Sequence, residues 1–482
     1  MNRIFFFAFF SLSMLSLSLC GQAPAADTPV TTRPGEPPAG LPYHMGLGEY
    51  QCFIINNSTG QLYGISSALV TAGVPWDAGI PGLPIRVAVP RSLHFIDVAS
   101  GLHNSLAADQ NGDVWTWGAN GAGESGTGTI EDVGLTPVKI KTDSSGNPFT
   151  NVVRVACWAS GGSTGNIALK SDGTVWIWGL TKEGMRGNGQ VGQLNTRPVP
   201  VNMPKGKKII KILAGSIILA LATDGTVWTW GGNNRKELLG SNTSDYTHPH
   251  QVPLPQKAKD IAGGGFFSYA LGMNGTLYGW GYYPAYLGIG TGGWAHQAPP
   301  PIVPKDLTKE LNLPHPVASV TTNSVATHVI LTDGTLWGWG DNACGCVGNG
   351  HELDYARHKP PYAWDWSPGQ MLVEKPVHLA RGVNNFVRVF GGSSAVFYSY
   401  AETATGQLYS WGRNKGAVLG NGVVCPNSEI ISVYPNSWDV PTVTAVDPFS
   451  LTRNKIVNSP YCVLHPEGSP CNQYKEGSGD VH

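Results

Sequence analysis

The feature that most restricts the fold of this chain is an internal repeat of one short phrase. It reads NGDVWTWG at 111–118, DGTVWIWG at 172–179, DGTVWTWG at 224–231, NGTLYGWG at 274–281, DGTLWGWG at 333–340 and TGQLYSWG at 405–412. A degenerate seventh copy, TGQLYGIS, lies at 59–66. A period of roughly 50 residues is typical of propellers and solenoids, in which one supersecondary unit recurs along the chain.

Each copy predicts two strands of a small antiparallel sheet. The Asp-Gly or Asn-Gly pair suits a tight hairpin turn, which needs positive φ angles. In DGTVWIWG, strand alternation places Trp176 and Trp178 on one face and Val175 and Ile177 on the other. Apolar stretches before the copies and proline-plus-aliphatic segments after most of them predict two further strands per unit.

Because both faces of each sheet are apolar, each sheet must be covered on both sides. A closed ring of sheets stacked face to face satisfies this requirement. The sequence therefore predicts an all-β fold, a seven-bladed β-propeller of four-stranded antiparallel blades.

The composition agrees with many tight turns around an aromatic core. The 482 residues include 63 Gly, 16 Trp and 17 Tyr, and only 13% are charged. Disordered chains lack such aromatic surface, because burial of that surface is what offsets the entropy of ordering. Lys and Arg number 31 against 32 Asp and Glu. We expect no nucleic-acid partner, because the chain has no net positive charge to attract one.

The first residues, 1–25, predict an export signal. Arg3 precedes an apolar, serine-containing run at 4–19, which is short for a membrane span of about 20 residues but suits a signal peptide. Two forms remain open. Cleavage after Ala23-Pro24-Ala25 would release a soluble chain, whereas Leu17-Ser18-Leu19-Cys20 is similar to a lipobox in which Cys20 is lipidated. We expect an exported protein that is periplasmic, extracellular or lipid-anchored to the envelope, with no other contact with the membrane.

The remaining chain divides into three parts. Residues 26–43 predict a disordered, proline-rich linker, residues 44–468 the propeller and residues 469–482 a flexible tail. The first unit lacks a clear strand before Gly48, and the segment 455–468 is similar to the start of a unit. We therefore expect this segment to complete the first blade and close the ring. Cys462 could pair with Cys471 nearby or with Cys52 across the closure.

A second pattern follows several of the repeated phrases. WGANGAG at 117–123 and WGDNACG at 339–345 read W-G-x-N-x-x-G, and WGRNKG at 411–416 nearly repeats it. Together with the preceding hairpin phrase, this pattern resembles the regulator of chromosome condensation repeat family across residues 48–422, in an exported bacterial-type member. The resemblance implies a propeller. It also implies two precedents for function: guanine-nucleotide exchange on a small GTPase, and capping of β-lactamases by secreted bacterial propellers.

The sequence shows no constellation of residues that predicts catalysis. His328 lies shortly before a repeat turn and predicts blade packing. The pairs His248 with His250 and Cys344 with Cys346 lack further ligands at metal-binding spacing. We expect no enzymatic activity, no cofactor and no metal.

Function is expected in the loops that break the period, because rigid scaffolds tend to carry function on their loops. The longest step between copies contains HELDYARHKPPYAWDWSPGQM at 351–371, and a second irregular stretch runs from 282 to 294. Aromatic side chains in such loops are typical of binding hot spots, but the same rings could instead pack the loops onto the propeller. The candidate binding residues are Tyr355, Tyr362, Trp364, Trp366, Tyr283, Tyr286 and Trp294.

We therefore expect a binding or scaffold module for a protein or glycan partner at the cell envelope. Nucleotide exchange on a small GTPase and action on an envelope polysaccharide are the alternatives.

Overall fold

The computed structural model describes residues 41–450, apart from 50, 67–83, 161–162, 233–238, 242, 244, 264–265, 282–283, 291–300, 343, 351–371, 393–395, 415–417 and 422–439. Within these residues the chain forms seven sheets, and each sheet pairs four consecutive strands in chain order. All strand pairs are antiparallel, so each sheet is a simple meander that forms one blade.

The first four blades lie between residues 43 and 251. Blade 1 contains β1 (Tyr43–Leu47), β2 (Gln51–Asn56), β3 (Gln61–Ser66) and β4 (Ile85–Arg86). Blade 2 contains β5 (Phe95–Ser100), β6 (Asn104–Asp109), β7 (Val114–Gly118) and β8 (Gly134–Lys139). Blade 3 contains β9 (Val152–Ser160), β10 (Ser163–Lys170), β11 (Val175–Thr181) and β12 (Gln193–Pro200). Blade 4 contains β13 (Ile209–Ala214), β14 (Ile218–Ala222), β15 (Val227–Trp230) and β16 (His250–Gln251).

The last three blades complete the ring. Blade 5 contains β17 (Ala258–Gly263), β18 (Phe267–Gly272), β19 (Leu277–Gly281) and β20 (Lys305–Asp306), with a 3-10 helix at Pro284–Leu287 and the short helix α1 (Thr308–Leu311) after β20. Blade 6 contains β21 (Val317–Thr322), β22 (Ala326–Leu331), β23 (Leu336–Asp341) and β24 (Leu372–Leu379). Blade 7 contains β25 (Phe386–Phe390), β26 (Tyr398–Thr403), β27 (Leu408–Gly412) and β28 (Val440–Val446). The predicted seven-bladed propeller is confirmed.

The first strands of the blades surround a central channel. Its cavity of about 270 Å³ is lined by residues of β1, β5, β9, β13, β17 and β21, and by Gly391 and Gly392 after β25. In a four-stranded meander, the connections between strands 1 and 2 and between strands 3 and 4 emerge on one side of the blade. We call this side the loop face. The hairpins between strands 2 and 3 and the links between blades lie on the opposite side, the turn face.

In blades 2 to 7, a tryptophan of the repeated phrase packs against the blade before it. Trp178 of β11 is fully buried, and its Nε1–H donates to the carbonyl oxygen of Glu124 in the preceding blade at 2.7 Å. Gly126 of the same loop lies at φ 68°, and a Cβ atom there would lie 2.9 Å from the indole nitrogen. The loop can therefore approach the ring this closely only with glycine at that position.

The same arrangement recurs at other seams between blades. Trp230 donates to Met185 O at 2.8 Å, Trp339 to Tyr286 O at 3.0 Å and Trp411 to Cys346 O at 3.2 Å. In each case the acceptor belongs to the loop between strands 3 and 4 of the preceding blade. The repeated tryptophan thus joins burial of a large ring to a hydrogen bond across the seam.

The seam between blades 7 and 1 is built differently. Ile65 stands where the other copies have tryptophan, and it packs in one cluster with Tyr398 and Tyr400 of blade 7. The Tyr398 hydroxyl lies 2.9 Å from Gly48 O and 3.0 Å from Gln51 O. Hydroxyl and ring contacts from blade 7 therefore replace the missing indole.

The first blade is complete without the tail. All four of its strands come from residues 43–86, and β1 takes the innermost position. The premise that the first blade lacks an inner strand is therefore wrong. The segment at 455–468, which was expected to supply that strand, lies outside the described residues. Cys52 is buried and forms no disulfide, so the predicted pairing with Cys462 is not formed. Cys462 and Cys471 lie outside the described residues.

Side chains near the end of the described chain also cross this seam. Phe449 follows β28 and stacks on Tyr43 of blade 1, with ring centroids 5.6 Å apart, and meets Tyr63 edge-on at 5.1 Å. Arg388 of β25 donates to the carbonyl oxygen of Tyr43 and pairs with the buried carboxylate of Glu402. Closure therefore depends on aromatic and ionic contacts rather than on a shared strand.

The seam tryptophan should dominate the stability of its blade. We expect Trp178→Ala to lower the free energy of unfolding by about 3–5 kcal/mol, because it removes a buried ring and leaves a cavity. Trp176→Ala is the matched control, since Trp176 is partly exposed on the same strand. Urea denaturation of both variants measures the difference, and equal losses would contradict a special role for the seam position.

Truncation tests the closure. A chain ending after Ser450 should melt at the same temperature as the full chain, because the four strands of blade 1 remain. A chain ending after Val446 loses Phe449 and should lose about 1–3 kcal/mol of stability. Differential scanning calorimetry of the two chains distinguishes them. A sharp loss in the longer one would restore the prediction that the tail closes the ring.

Candidate binding face

The loop face carries the long and variable connections of the propeller. The turn-face hairpins at 57–60, 110–113, 171–174, 223–226, 273–276, 332–335 and 404–407 are all equally short. The connections between strands 3 and 4 differ in length instead, and the shortest is 182–192 and the longest 342–371. Variation in length is therefore concentrated on one side of the ring, where insertions do not disturb the blades.

The asparagine of the W-G-x-N pattern organises these loops from inside. Asn120 is fully buried; its Oδ1 accepts the N–H of Ser125 at 2.7 Å and its Nδ2 donates to Glu131 O at 2.8 Å. Asn342 and Asn414 repeat the first bond, accepting from Val347 at 3.0 Å and Leu419 at 3.1 Å. An amide side chain can satisfy buried loop N–H and C=O groups at once, which accounts for asparagine at this position.

Most of the predicted aromatic binding residues lie outside the described residues. These are Tyr283, Trp294, Tyr355, Tyr362, Trp364 and Trp366, and the same holds for Cys20. The segments that contain the six aromatic residues join described strand ends on the loop face, 282–304 between β19 and β20 and 342–371 between β23 and β24. The described ends of both segments therefore lie on the same face, in adjacent blades.

Tyr286 is the candidate whose position is described. It lies in the 3-10 helix Pro284–Leu287 with only 4% of its surface exposed, and its ring packs 5.3 Å from that of Phe267. Its carbonyl oxygen accepts hydrogen bonds from Tyr269 Oη at 2.8 Å and from Trp339 Nε1 at 3.0 Å. The ring of Tyr286 therefore packs its loop onto the propeller, which is the alternative to a role in binding.

The loop face also exposes aliphatic side chains that the sequence reasoning missed. Within the described residues, five of the eight exposed large hydrophobic residues lie there: Ile130 54%, Val191 47%, Leu194 49%, Ile302 37% and Val303 42%. Ile130 and Leu194 belong to neighbouring segments, because Gly128 N donates to Thr196 O at 2.8 Å and joins the loop of blade 2 to β12. These exposed residues could have been predicted from the sequence, because they are large aliphatic residues inside polar, glycine-rich loops.

The histidine and cysteine pairs that were considered as metal ligands are paired with a carboxylate or buried in the structure. His248 and His250 both lie within 3.3 Å of the Asp245 carboxylate, and Cys344 and Cys346 are buried without a disulfide. Among the residues that the structure describes, no group of three or more His, Cys, Asp or Glu side chains is arranged to hold a metal ion. In the same part of the chain no helix is long and apolar enough to cross a membrane.

His328 is a core residue, consistent with its predicted role in packing. It is fully buried, and its Nε2 accepts the N–H of Trp411 at 3.2 Å. Burial disfavours the charged imidazolium and lowers the pKa of His328 to about 4. The neutral ring therefore serves the seam between blades 6 and 7.

The blades, the seam tryptophans and the asparagine-centred loops together define a seven-bladed propeller of the W-G-x-N type. A family model described as the RCC1-like domain matches residues 52–451. The chain therefore belongs to the RCC1-like domain family.

Relatives and solved structures agree with this assignment. The ultraviolet-B receptor UVR8 of Arabidopsis thaliana is 26% identical over 339 residues, which are 70% of this chain and 68% of that protein. The human E3 ubiquitin-protein ligase HERC2 is 35% identical over 176 residues, 36% of this chain but only 3% of that protein. Prp20p from Saccharomyces cerevisiae, whose structure was described with its binding properties to Gsp1p and histones, superposes with a TM-score of 0.60 at 22% identity, covering 80% of this chain and 85% of that one. That last likeness shows the fold.

Burial of His328 predicts that the stability of the propeller depends on pH. Its pKa falls from 6.5 in the unfolded chain to about 4 in the folded one, so the unfolded state takes up the proton first as pH falls. The contribution of this residue is fully present above pH 6.5, and about 2 kcal/mol of stability should be lost by pH 5.

Urea unfolding at pH 7 and pH 5 measures this dependence. We expect His328→Gln to show a smaller loss between the two values than the parent chain. His94→Gln, at an exposed position, should behave like the parent, and identical pH dependence in all three proteins would contradict the prediction.

Proposed function

We propose that this chain is an exported, non-enzymatic propeller whose loop face binds a protein or glycan partner at the cell envelope. The observation that carries the proposal is the concentration of exposed aliphatic side chains on that face. The sequence adds two aromatic-rich insertions, whose described ends lie on the same face. Exposed apolar surface on a soluble propeller is costly unless a partner covers it. Export rests on the signal-like residues 1–25, and a lipid at Cys20 would hold the propeller at the membrane surface.

The chemistry of the face favours recognition over reaction. Ile130, Val191 and Leu194 offer apolar area, and the insertion at 351–371 adds tyrosine, tryptophan and arginine, the residue types enriched at binding hot spots. Of these partner classes, protein fits the aliphatic patch best, since glycans are bound mainly by aromatic rings and polar groups.

Site-specific photocrosslinking in intact cells tests the proposal. A photoreactive residue at Val191 should capture one discrete partner, whereas the same residue at Met273, which is 63% exposed on the turn face, should not. Trp364→Ala combined with Trp366→Ala should abolish capture without changing the melting temperature. Equal capture from both faces, or none from Val191, would contradict the proposal.

Purified protein allows a quantitative version with the partner so identified. We expect Ile130→Ser with Leu194→Ser to weaken binding by roughly tenfold or more, because each removes an apolar contact. Met273→Ser is the control, and it should leave the affinity unchanged.

Nucleotide exchange on a small GTPase is the second candidate, favoured by family membership and by the structural likeness to Prp20p. Release of labelled nucleotide from a GTPase by the purified chain would support it. Export separates the chain from cytoplasmic GTPases, and for that reason we rank exchange below envelope binding.

A further inference from the structure

Strand register places seven equivalent side chains around the turn-face end of the central channel. The third strand of each blade begins its apolar alternation at one residue, such as Leu62 in blade 1. That residue pairs with a residue of the second strand, here Ile55, which in turn pairs with a residue of the first strand, here His44. The residue of the first strand reached in this way is equivalent in all seven blades. These residues, which we call the mouth ring, are His44, Asp97, Arg154, Lys211, Asp260, Ser319 and Arg388. Six of the seven are titratable. Four of them, His44, Asp97, Arg154 and Lys211, line the cavity, whose other lining residues are mainly small or apolar.

The carboxylates of the mouth ring are already occupied. Asp97 Oδ1 lies 2.6 Å from His44 Nε2, and its Oδ2 accepts the N–H of Val155 at 2.6 Å. Asp260 Oδ1 accepts from Lys211 Nζ at 2.6 Å. Arg388 pairs with Glu402 of its own blade.

Arg154 is the exception. Within the described residues its guanidinium makes one hydrogen bond, from Nη1 to Val153 O at 2.8 Å, and no carboxylate lies within 4.0 Å of it. A guanidinium has five N–H donors, so most of its donors are available to a ligand. Lys211 stands at the equivalent position of the next blade, but its charge is already paired with Asp260.

We propose that the turn-face mouth of the channel is a binding site for a small anion, a molecule carrying a carboxylate or a phosphate, with Arg154 as its main contact. A planar guanidinium binds either oxyanion through two parallel hydrogen bonds. Ser100, Thr321 and Thr322 line the same cavity further along, and their hydroxyl groups suit the polar remainder of such a ligand.

The site is separate from the proposed partner face. Arg154 lies near the start of β9, at the turn-face end of the channel, whereas the exposed aliphatic residues lie at the opposite end of the blades. The two proposals can therefore fail independently.

Isothermal titration calorimetry at constant ionic strength tests the site with two probes, inorganic phosphate and succinate. At least one should bind with a stoichiometry of one, and the arm that binds more tightly identifies the preferred anion. Arg154→Gln should weaken that binding by roughly tenfold or more, because it removes a charge-assisted contact. Arg154→Lys, which keeps the charge, should bind with intermediate affinity.

Arg197→Gln is the matched control. Arg197 lies on β12, the outermost strand of the same blade, and donates to Thr142 Oγ1 at 2.6 Å outside the channel. Its loss should leave anion binding unchanged. Equal affinities in the Arg154→Gln and parent proteins, or no saturable binding of either probe, would overturn the proposal. Capture of a partner from Val191 should persist in the Arg154→Gln variant, so the outcome for the anion site does not depend on the loop face.

Discussion

The packing of one tryptophan from each of blades 2 to 7 against the preceding blade holds most of this ring together. An isolated four-stranded sheet with apolar residues on both faces has no stable surroundings in water, and each blade supplies its neighbour with the missing cover. The ring of Trp178 shows how: apolar area, a hydrogen bond to Glu124 O and a close glycine all meet at one seam. Because the acceptor lies in the loop between strands 3 and 4, the seam also fixes the base of the loops that form the candidate binding face.

At the seam between blades 7 and 1, which closes the ring, other contacts replace those of the repeated tryptophan. In blade 1 the isoleucine at position 65 cannot donate a hydrogen bond. The rings of Tyr398 and Tyr400 of blade 7 and the Tyr398 hydroxyl group take its place at this seam. Arg388 adds a cation that reaches the backbone of Tyr43 and the carboxylate of Glu402. A buried ion pair of this kind contributes more to a defined arrangement than to net stability, since both charges must be desolvated. The aromatic contacts of Phe449 supply apolar burial at the same seam.

The sequence was sufficient for the blade count because tryptophan, glycine and the Asp-Gly turn each have one role in the repeat. It was insufficient for β1. YHMGL contains a glycine and a histidine and follows a proline-rich stretch, so its strand character comes from pairing with β2 and not from local propensity. Exposure of Ile130 and Leu194 could not be inferred from apolar identity alone, since most aliphatic residues of this chain are buried. The mouth ring was hidden for another reason: its members are separated by a full repeat, and bulges such as that between Phe95 and Asp97 shift their spacing.

A rigid ring of this kind separates its two ends chemically. The asparagine-centred loops satisfy their own backbone groups internally, as Asn120 does, and this leaves apolar side chains free to project from the loop face. The first strands, by contrast, bring polar side chains towards the axis, where neighbours such as Lys211 and Asp260 neutralise each other across a seam. A charge without such a partner is therefore exceptional. Arg154 is in this position, because Asp97 of the preceding blade is engaged by His44 and Val155, and the following blade contributes Lys211. The two proposed sites, apolar at one end and anion-binding at the other, share one constraint, since the seams occupy the blade interiors and leave the two ends of the ring accessible.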